Sequence, residues 1–389
     1  MHGILRRKFL QAGSLGLGAG WFSPAALKAQ GGLELSSAGR SASTRVRMVG
    51  DGLGLSPSEQ GHLLSRLADE GQIDRDSYSN GGTVEKLEEM FARLLGKERA
   101  VFMPTGTLAN HLAVRALAGG PSRALVQAES HLFNDSGDCL QTLSAVTLMP
   151  LAAGSGTFTL DEVREAADRT ASGRVRRPVS VISIETPVRR RFGEMFNPVD
   201  MDQVTTYARQ AGIGLHLDGA RLFLQSAYTG IDVDEYARPF DTVYVSLYKY
   251  FNAVSGAVLA GPKALLDDMY HTRRMFGAGL PGAWPFAAVA LHYLPGFIDR
   301  FRAAVAVSES FIDQLTQHEA FSVERMQLPT NLFRLRVASP NLTAYRARLR
   351  DIGVDLGGNR AGGSFLVGVN ETWNRSTAGS LVDRFVAAL

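Results

Sequence analysis

The chain of 389 residues contains a single cysteine, Cys139, so no intramolecular disulfide can hold the fold together. We expect this thiol to behave as a small buried hydrophobe. Outside the N-terminus the chain also has no large excess of positive or negative charge. Residues 1–29 carry four basic side chains and no acidic one, so without them the formal charge of +3 becomes −1 (3 − 4). A near-neutral body gives no reason to expect a nucleic-acid partner.

The N-terminus lacks an apolar run long enough to cross a membrane. Its mildly apolar stretch, Ala12–Phe22, is short and rich in glycine. It follows Arg6-Arg7-Lys8 and precedes small residues suited to cleavage, which is the order of an export signal. Paired arginines before Phe-Leu resemble a bacterial twin-arginine signal, which is an address and not an anchor. We therefore expect a periplasmic protein without a membrane partner, or a cytoplasmic one if the signal is not functional.

Beyond the signal, short apolar runs alternate with helical patterns. Apolar runs occur at 179–184, 214–217 and 242–247, and a helical pattern such as Met201–Ala211 lies between two of them. This alternation predicts an α/β fold with a mostly parallel central sheet. Ligands of such sheets bind beyond the carboxyl ends of the strands.

Changes in pattern divide the chain into four regions. The signal at 1–29 is followed by an N-terminal arm at 30–75. Its residues 31–60 are rich in glycine and serine and weakly patterned, and we expect them to be extended and packed on a partner subunit. A large ligand-binding domain is predicted for 76–295. A smaller α+β domain is predicted for 296–389, because a long helix there leads to separate strands and helices.

Two charged residues each close an apolar run. Asp218 ends the run that contains His216, and Lys249 follows Val243–Tyr248. Burying an ammonium group is costly unless it is paired or has reacted. This arrangement is what pyridoxal phosphate needs, since the lysine binds its aldehyde as a Schiff base and the acid keeps the pyridine nitrogen protonated. A surface lysine and a turn aspartate are the alternative interpretation, which the succession of the two runs disfavours.

Further polar residues follow other apolar runs and should reach the same crevice. Thr105-Gly106-Thr107 opens a helix after a strand, where the backbone N–H groups of Gly106 and Thr107 favour a phosphate. His131 is placed to stack on the pyridine ring and to move protons, although a core histidine is the alternative. Arg221 is placed to pair with the cofactor's phenolate oxygen or with Asp218. His216 lies one step deeper in its strand, and we expect a structural role for it.

These residues together resemble the threonine aldolase and β-eliminating lyase family of fold-type I pyridoxal phosphate enzymes. The resemblance runs from Asp76 to Gly282, through the segments 82–88, 102–110, 216–222, 256–261 and 273–279 and the single residues Tyr78, His131, Glu185, Thr186 and Lys249. It implies the fold-type I transferase fold. It also implies homodimers or homotetramers with sites at a subunit interface. No metal site is predicted.

The resemblance assigns roles to individual residues. It implies that Lys249 carries the cofactor and that Asp218 binds the ring nitrogen. His131 would lie on the ring face, and Arg221 near the phenolate and the substrate. Gly106 and Thr107 would bind the phosphate.

Departures from the family pattern concern the phosphate and the substrate. Leu280-Pro281-Gly282 stands where family enzymes usually carry an arginine and a glutamine that help hold phosphate. Glu185 and Thr186 are adjacent, without the asparagine that separates them in the family. The strand Ser364–Val369 lacks the arginine that grips the substrate carboxylate. Arg360 or the run Arg189-Arg190-Arg191 is the expected substitute.

The sequence thus predicts a pyridoxal phosphate-dependent lyase that cleaves a β-hydroxy amino acid to glycine and an aldehyde. His131, directly or through water, would take the hydroxyl proton. One alternative keeps the cofactor and changes the reaction to β-elimination, transamination or racemisation. A second alternative is an exported protein of the same fold that binds a ligand without turnover. The reaction products distinguish aldol cleavage from β-elimination, because aldol cleavage gives glycine and an aldehyde, whereas elimination gives a keto acid and ammonia.

Overall fold

The computed structural model describes residues 44–360 and 363–389. The predicted signal and residues 30–43 of the predicted arm lie outside the described residues. The strands are β1 Val46–Arg47, β2 Arg99–Met103, β3 Ser122–Gln127, β4 Val146–Leu151, β5 Val179–Glu185, β6 Gly214–Asp218, β7 Thr242–Ser246, β8 Ala257–Gly261, β9 Phe321–Glu324, β10 Leu332–Val337, β11 Val354–Asp355, β12 Asn359–Arg360 and β13 Ser364–Gly368.

The helices of the larger domain are α1 Pro57–Asp69, α2 Gly82–Leu94, α3 Gly106–Ala118, α4 His131–Asn134, α5 Cys139–Ser144, α6 Leu160–Ala171, α7 Pro198–Ala211, α8 Leu222–Thr229, α9 Val233–Ala237, α10 Lys263–Leu266, α11 Met269–Met275 and α12 Trp284–Tyr293. They are followed by α13 Phe297–Leu315, α14 Leu342–Asp351 and α15 Ala378–Ala387, with single 3₁₀ turns at Arg189–Arg191 and Glu371–Arg375. Within the described ranges, no helix is both long enough and apolar enough to cross a lipid bilayer.

A seven-stranded sheet forms the centre of the larger domain, in the order β2-β8-β7-β6-β5-β3-β4. Strands β3 to β7 pair in parallel, whereas β8 is antiparallel to both β7 and β2. Strands β7 and β8 are buried along their whole length, which explains their continuous apolar sequences. The predicted α/β fold with a mostly parallel sheet is confirmed.

The direction of the strands places many chain segments at one edge of this sheet. Every strand except β8 runs the same way, so the carboxyl ends of β2, β3, β5, β6 and β7 share that edge. The segment that enters β8 begins there too, because β8 runs in the opposite direction. Side chains far apart in sequence are therefore brought to a common place.

The smaller C-terminal domain is built on an antiparallel sheet in the order β12-β13-β10-β9. Helices α13 and α15 pack on it and form a second apolar cluster around the fully buried Trp373. The first described strand, β1, pairs in parallel with β11 of this domain. Asn370 holds the same segment by donating hydrogen bonds to the carbonyls of Arg47 and Gly50, 3.0 Å each.

The structure corrects two sequence expectations. The arm predicted for 30–75 is not extended throughout, because Pro57–Asp69 forms a helix that begins within the stretch expected to be extended. Ser56 accepts a hydrogen bond from the Glu59 backbone, and the Glu59 carboxylate accepts one from Ser56, a capping box that begins a helix ahead of the buried Leu63 and Leu67. Its strand β1 also packs on the chain's own C-terminal domain. Cys139 is half-buried and starts a short helix, so it is less enclosed than a core hydrophobe.

Candidate active site

A cavity of about 310 Å³ opens at the carboxyl edge of the central sheet. Its volume is typical of a small-molecule site. The predicted catalytic and cofactor-binding residues all line it, namely Gly106, Thr107, His131, Asp218, Arg221 and Lys249. Arg360 is not among the lining residues; its backbone belongs to β12 of the C-terminal domain, and its side chain is not described.

Lys249 follows β7 and points its amine into this cavity. The Nζ atom lies 5.9 Å from the ring centroid of Tyr244 and 5.6 Å from that of Tyr248. Burial, and then the positive charge of Arg221, lowers the pKa of Lys249 to about 8, while Asp218 and Asp51 oppose this shift. About a tenth of such a lysine is the free amine at pH 7, far more than of an ordinary lysine with a pKa of about 10.4, and the free amine is the nucleophilic form.

Asp218 ends β6 and is held by a chain of hydrogen bonds. It is 3% exposed and accepts hydrogen bonds from the Asn110 side-chain amide at 2.5 Å and from the Ala220 backbone at 3.1 Å. Because the Asn110 nitrogen donates to Asp218, its oxygen faces His216 Nε2 at 2.8 Å. The carboxylate is thus supplied with fixed donors, and its position in the cavity is set from the protein side.

His216 completes this chain as a neutral residue. Burial lowers its pKa to about 4. The ring therefore carries one proton, on the Nε2 atom that donates to Asn110, and the bare Nδ1 accepts from the Thr242 hydroxyl at 2.8 Å. This agrees with the structural role expected for His216, since both of its ring nitrogens have hydrogen-bond partners and the ring itself carries no charge.

Arg221 pairs with a residue that the sequence did not indicate. Its Nε atom donates to Asp51 at 2.8 Å, and both side chains are largely buried. Asp51 also accepts from the Asn331 amide of the C-terminal domain at 3.0 Å. Of the two partners considered for Arg221, the cofactor's phenolate oxygen and Asp218, the guanidinium does not pair with Asp218, because the N-terminal segment brings a second carboxylate between the two domains.

The N-terminus of α3 forms one wall of the cavity. The Thr105 hydroxyl accepts from the Leu108 backbone and begins the helix, as the sequence predicted. A Cβ atom at Gly106 would lie 1.9 Å from the Tyr244 hydroxyl oxygen, so only glycine fits beside this phenol. Burial raises the pKa of Tyr244 well above its usual value, so the phenol stays neutral and able to donate. Helix dipole, backbone N–H groups and phenol together favour an anion here.

His131 begins α4, and a buried carboxylate holds its backbone. Glu185 accepts from the His131 N–H at 2.5 Å and from the Arg189 N–H at 2.9 Å. Burial, and then the charge of Asp218, raises the pKa of Glu185. Burial also lowers the pKa of His131, despite the opposing charge of Asp218, so its imidazole is neutral near pH 7 and can accept a proton.

This set of groups fits pyridoxal phosphate. The N-terminus of the 13-residue helix α3 suits the phosphate, and the glycine there leaves backbone N–H groups accessible. Asp218 suits the pyridine N–H, and the Lys249 amine suits the aldehyde. The three lie around one cavity of suitable size, as the sequence-based hypothesis requires. Among the described residues no cluster of side chains is arranged to bind a metal ion.

Three contributors to the site were not identified from the sequence as site residues: Asp51, Asn110 and Tyr244. Asp51 lies in a glycine-rich segment without periodicity, and Asn110 and Tyr244 occupy positions that read as helix and strand interior. Only the strand order and the path of the N-terminal segment bring Tyr244 to the cavity, and Asp51 and Asn110 to the Arg221 and Asp218 side chains that line it. Glu185 was noted in the sequence only as part of the family resemblance. Its spacing from His131 gave no sign that it holds the His131 backbone.

Known proteins resemble the chain along most of the described residues. A family model described as beta-eliminating lyase matches residues 65–338. A low-specificity L-threonine aldolase of Candida albicans is 30% identical over 218 residues, 55% of this chain and 58% of that protein. An alanine racemase of Cochliobolus carbonum is 30% identical over 208 residues, 53% of this chain and 52% of that protein. The chain thus matches between half and three fifths of the length of these relatives.

A solved structure resembles the fold over a larger share. It is described as a "putative L-allo-threonine aldolase" from Listeria monocytogenes, with a TM-score of 0.74 and 26% sequence identity. The similarity covers 89% of this chain and 97% of that one. The family model covers more than half of the chain, from the end of α1 to the end of β10, and the predicted family is confirmed. The chain belongs to the beta-eliminating lyase family.

Proposed function

We propose that the protein is a pyridoxal phosphate-dependent lyase that cleaves a β-hydroxy amino acid to glycine and an aldehyde. The observation that carries this proposal is the placement of Lys249, Asp218 and the N-terminus of α3 around one cavity. Membership of the beta-eliminating lyase family and the likeness to proteins named as threonine aldolases support it. When bound, the cofactor supplies an electron sink for the electrons released as a bond to the substrate Cα breaks.

The residues of the cavity have separate tasks in this proposal. Lys249 holds the cofactor covalently and gives way to the substrate amine, for which its low pKa suits it. Asp218, fixed by Asn110, accepts the pyridine N–H and keeps the ring cationic. Gly106 and Thr107 offer their backbone and hydroxyl groups to the phosphate.

His131 is the proposed base for the β-hydroxyl proton. It lines the cavity beside Lys249 and is neutral near pH 7, so it can take a proton directly or through water. Glu185 fixes the start of its helix through the backbone. Arg221 lies beside the cofactor and substrate region, and Asp51 holds its guanidinium in place. A homodimer or homotetramer remains a prediction.

Substitution of Lys249 by alanine should reduce glycine release from threonine and related β-hydroxy amino acids to the background rate, because the covalent attachment point is lost. Weak binding of the cofactor should persist through the phosphate and ring contacts. Lys263→Ala is the matched control, since Lys263 is exposed and does not line the cavity. Glycine and aldehyde would be measured together with keto acid and ammonia. Undiminished glycine release by the Lys249 variant contradicts the assignment, and a keto acid with ammonia from the wild type indicates elimination instead.

The apoprotein should take up pyridoxal phosphate with a pH dependence that reports Lys249. Only the free amine reacts with an aldehyde. Because the pKa of Lys249 is lowered to about 8, the fraction of free amine rises as the pH passes through about 8. We expect the rate of uptake, followed by absorbance, to be half-maximal near pH 8. An ordinary lysine side chain in a peptide, used as the control, should reach this point near its usual pKa of about 10.4. A protein profile that coincides with the peptide profile would refute the perturbed pKa.

We also propose that the protein is exported to the periplasm in a folded, cofactor-loaded state. The paired arginines of the N-terminal sequence support this proposal. Replacing Arg6 and Arg7 by lysine should leave the protein in the cytoplasmic fraction of a bacterial host with twin-arginine export. Lys8→Gln, which keeps the arginine pair, is the control. Equal periplasmic amounts of both variants would exclude this route.

A further inference from the structure

Three consecutive arginines follow β5, and only one of them reaches the cavity. Arg189, Arg190 and Arg191 form a 3₁₀ turn. Arg189 lines the cavity together with Lys249 and His131, whereas Arg190 and Arg191 are not among the lining residues. The guanidinium of Arg191 is directed instead to Glu194, at 2.9 Å. The turn therefore presents a single guanidinium to the site.

The backbone of this turn is fixed on both sides. Glu185 accepts the Arg189 N–H at 2.9 Å, with the same carboxylate that holds the start of the His131 helix. The Val188 N–H donates to the Glu194 carbonyl at 2.8 Å and closes the loop at its base. Arg189 is thus presented by a constrained turn, as a binding residue needs to be.

Arg189 shares its side-chain partner with a second arginine. Asp135 accepts from Arg189 Nη2 at 2.5 Å and from Arg190 Nη1 at 3.2 Å, so two guanidiniums share one carboxylate. Although burial opposes it, the bond from Arg189 and the charges of both arginines lower the pKa of Asp135, which stays ionised. Both arginine side chains remain partly exposed, and Arg189 keeps donors available.

The other cations of the cavity have different partners. The Arg221 guanidinium is bound to the buried carboxylate of Asp51. Lys249 is reserved for the cofactor in the proposed function. Among the lining residues that the structure describes, Arg189 is therefore the cation that shares its carboxylate partner with a second arginine. Its planar fork matches a carboxylate, the group that every amino acid carries.

We propose that Arg189 binds a carboxylate of the substrate, with Asp135 holding the guanidinium in orientation. This inference rests on the proposed function and adds a substrate-binding residue to it. Two carboxylates share the required chemistry. One is the α-carboxylate of any amino acid substrate, and the other is the side-chain carboxylate of an acidic β-hydroxy amino acid such as β-hydroxyaspartate.

The test compares Arg189→Gln with Arg190→Gln in the cofactor-loaded protein. The two variants are matched, because each removes one positive charge and leaves Asp135 paired with the other arginine. Glycine, which has only the α-carboxylate, would be titrated while the cofactor spectrum is recorded. The Michaelis constants of threonine and β-hydroxyaspartate would then be measured by glycine release.

Binding of the α-carboxylate predicts that Arg189→Gln weakens glycine, threonine and β-hydroxyaspartate alike, by about 10- to 100-fold, with a smaller change in kcat. Binding of the side-chain carboxylate predicts the same loss for β-hydroxyaspartate alone. Either result supports the proposal if Arg190→Gln remains near the wild type. Arg189→Lys should recover part of the loss, because it keeps the charge without the fork.

Equal behaviour of Arg189→Gln and Arg190→Gln, or a loss in kcat alone, would overturn the proposal. The glycine titration separates this failure from that of the proposed function. A wild type that binds glycine but releases no glycine from β-hydroxy amino acids disproves the lyase activity. The role of Arg189 is then still tested by the affinity of its variants for glycine. A wild-type spectrum that responds to no amino acid contradicts both proposals.

Discussion

The need to balance buried charges at the edge of the central sheet constrains the whole site. Lys249 and Arg221 bring two positive charges, and Asp218 and Asp51 bring two negative ones, into a region largely removed from water. An unpaired charge in such a place costs several kcal/mol, on the order of 3–5 when one partner of a buried pair is missing. Asp51 balances the charge of Arg221 in an ion pair, so Lys249 and Asp218 remain, and both face the cavity. The ring of a cofactor with a cationic nitrogen and a reactive aldehyde suits that space.

This balance also explains the route of the chain outside the central sheet. The N-terminal segment pairs with β11 of the C-terminal domain and then delivers Asp51 to Arg221. Asn331, at the start of a C-terminal strand, binds the same carboxylate. Three distant parts of the sequence thus meet at one ion pair. The smaller domain takes part in the site through this contact, although the described side chains that line the cavity come from the larger domain.

The parts of the site that could be predicted from the sequence have local signals. A charged residue that ends an apolar run stands out, and so does a Thr-Gly-Thr segment at the start of a helix; Asp218, Lys249 and Gly106 were found in this way. Side-chain partners have no such signal. Asn110 binds Asp218 from 108 positions away, and Asp51 binds Arg221 from 170 positions away. Which of them meet depends on strand order and on the reversed direction of β8, and neither is encoded in periodicity. The capping box before α1 was readable, but the weak pattern around it hid the helix.

The central claim is that a pyridoxal group is covalently bound at position 249, and peptide mapping tests it most directly. The purified protein would be loaded with pyridoxal phosphate, reduced with borohydride, digested and examined by mass spectrometry. The account predicts that the added mass of the reduced cofactor is found on the peptide that contains Lys249. Label on another lysine, such as Lys97 or Lys263, or no stable label after reduction, would contradict it.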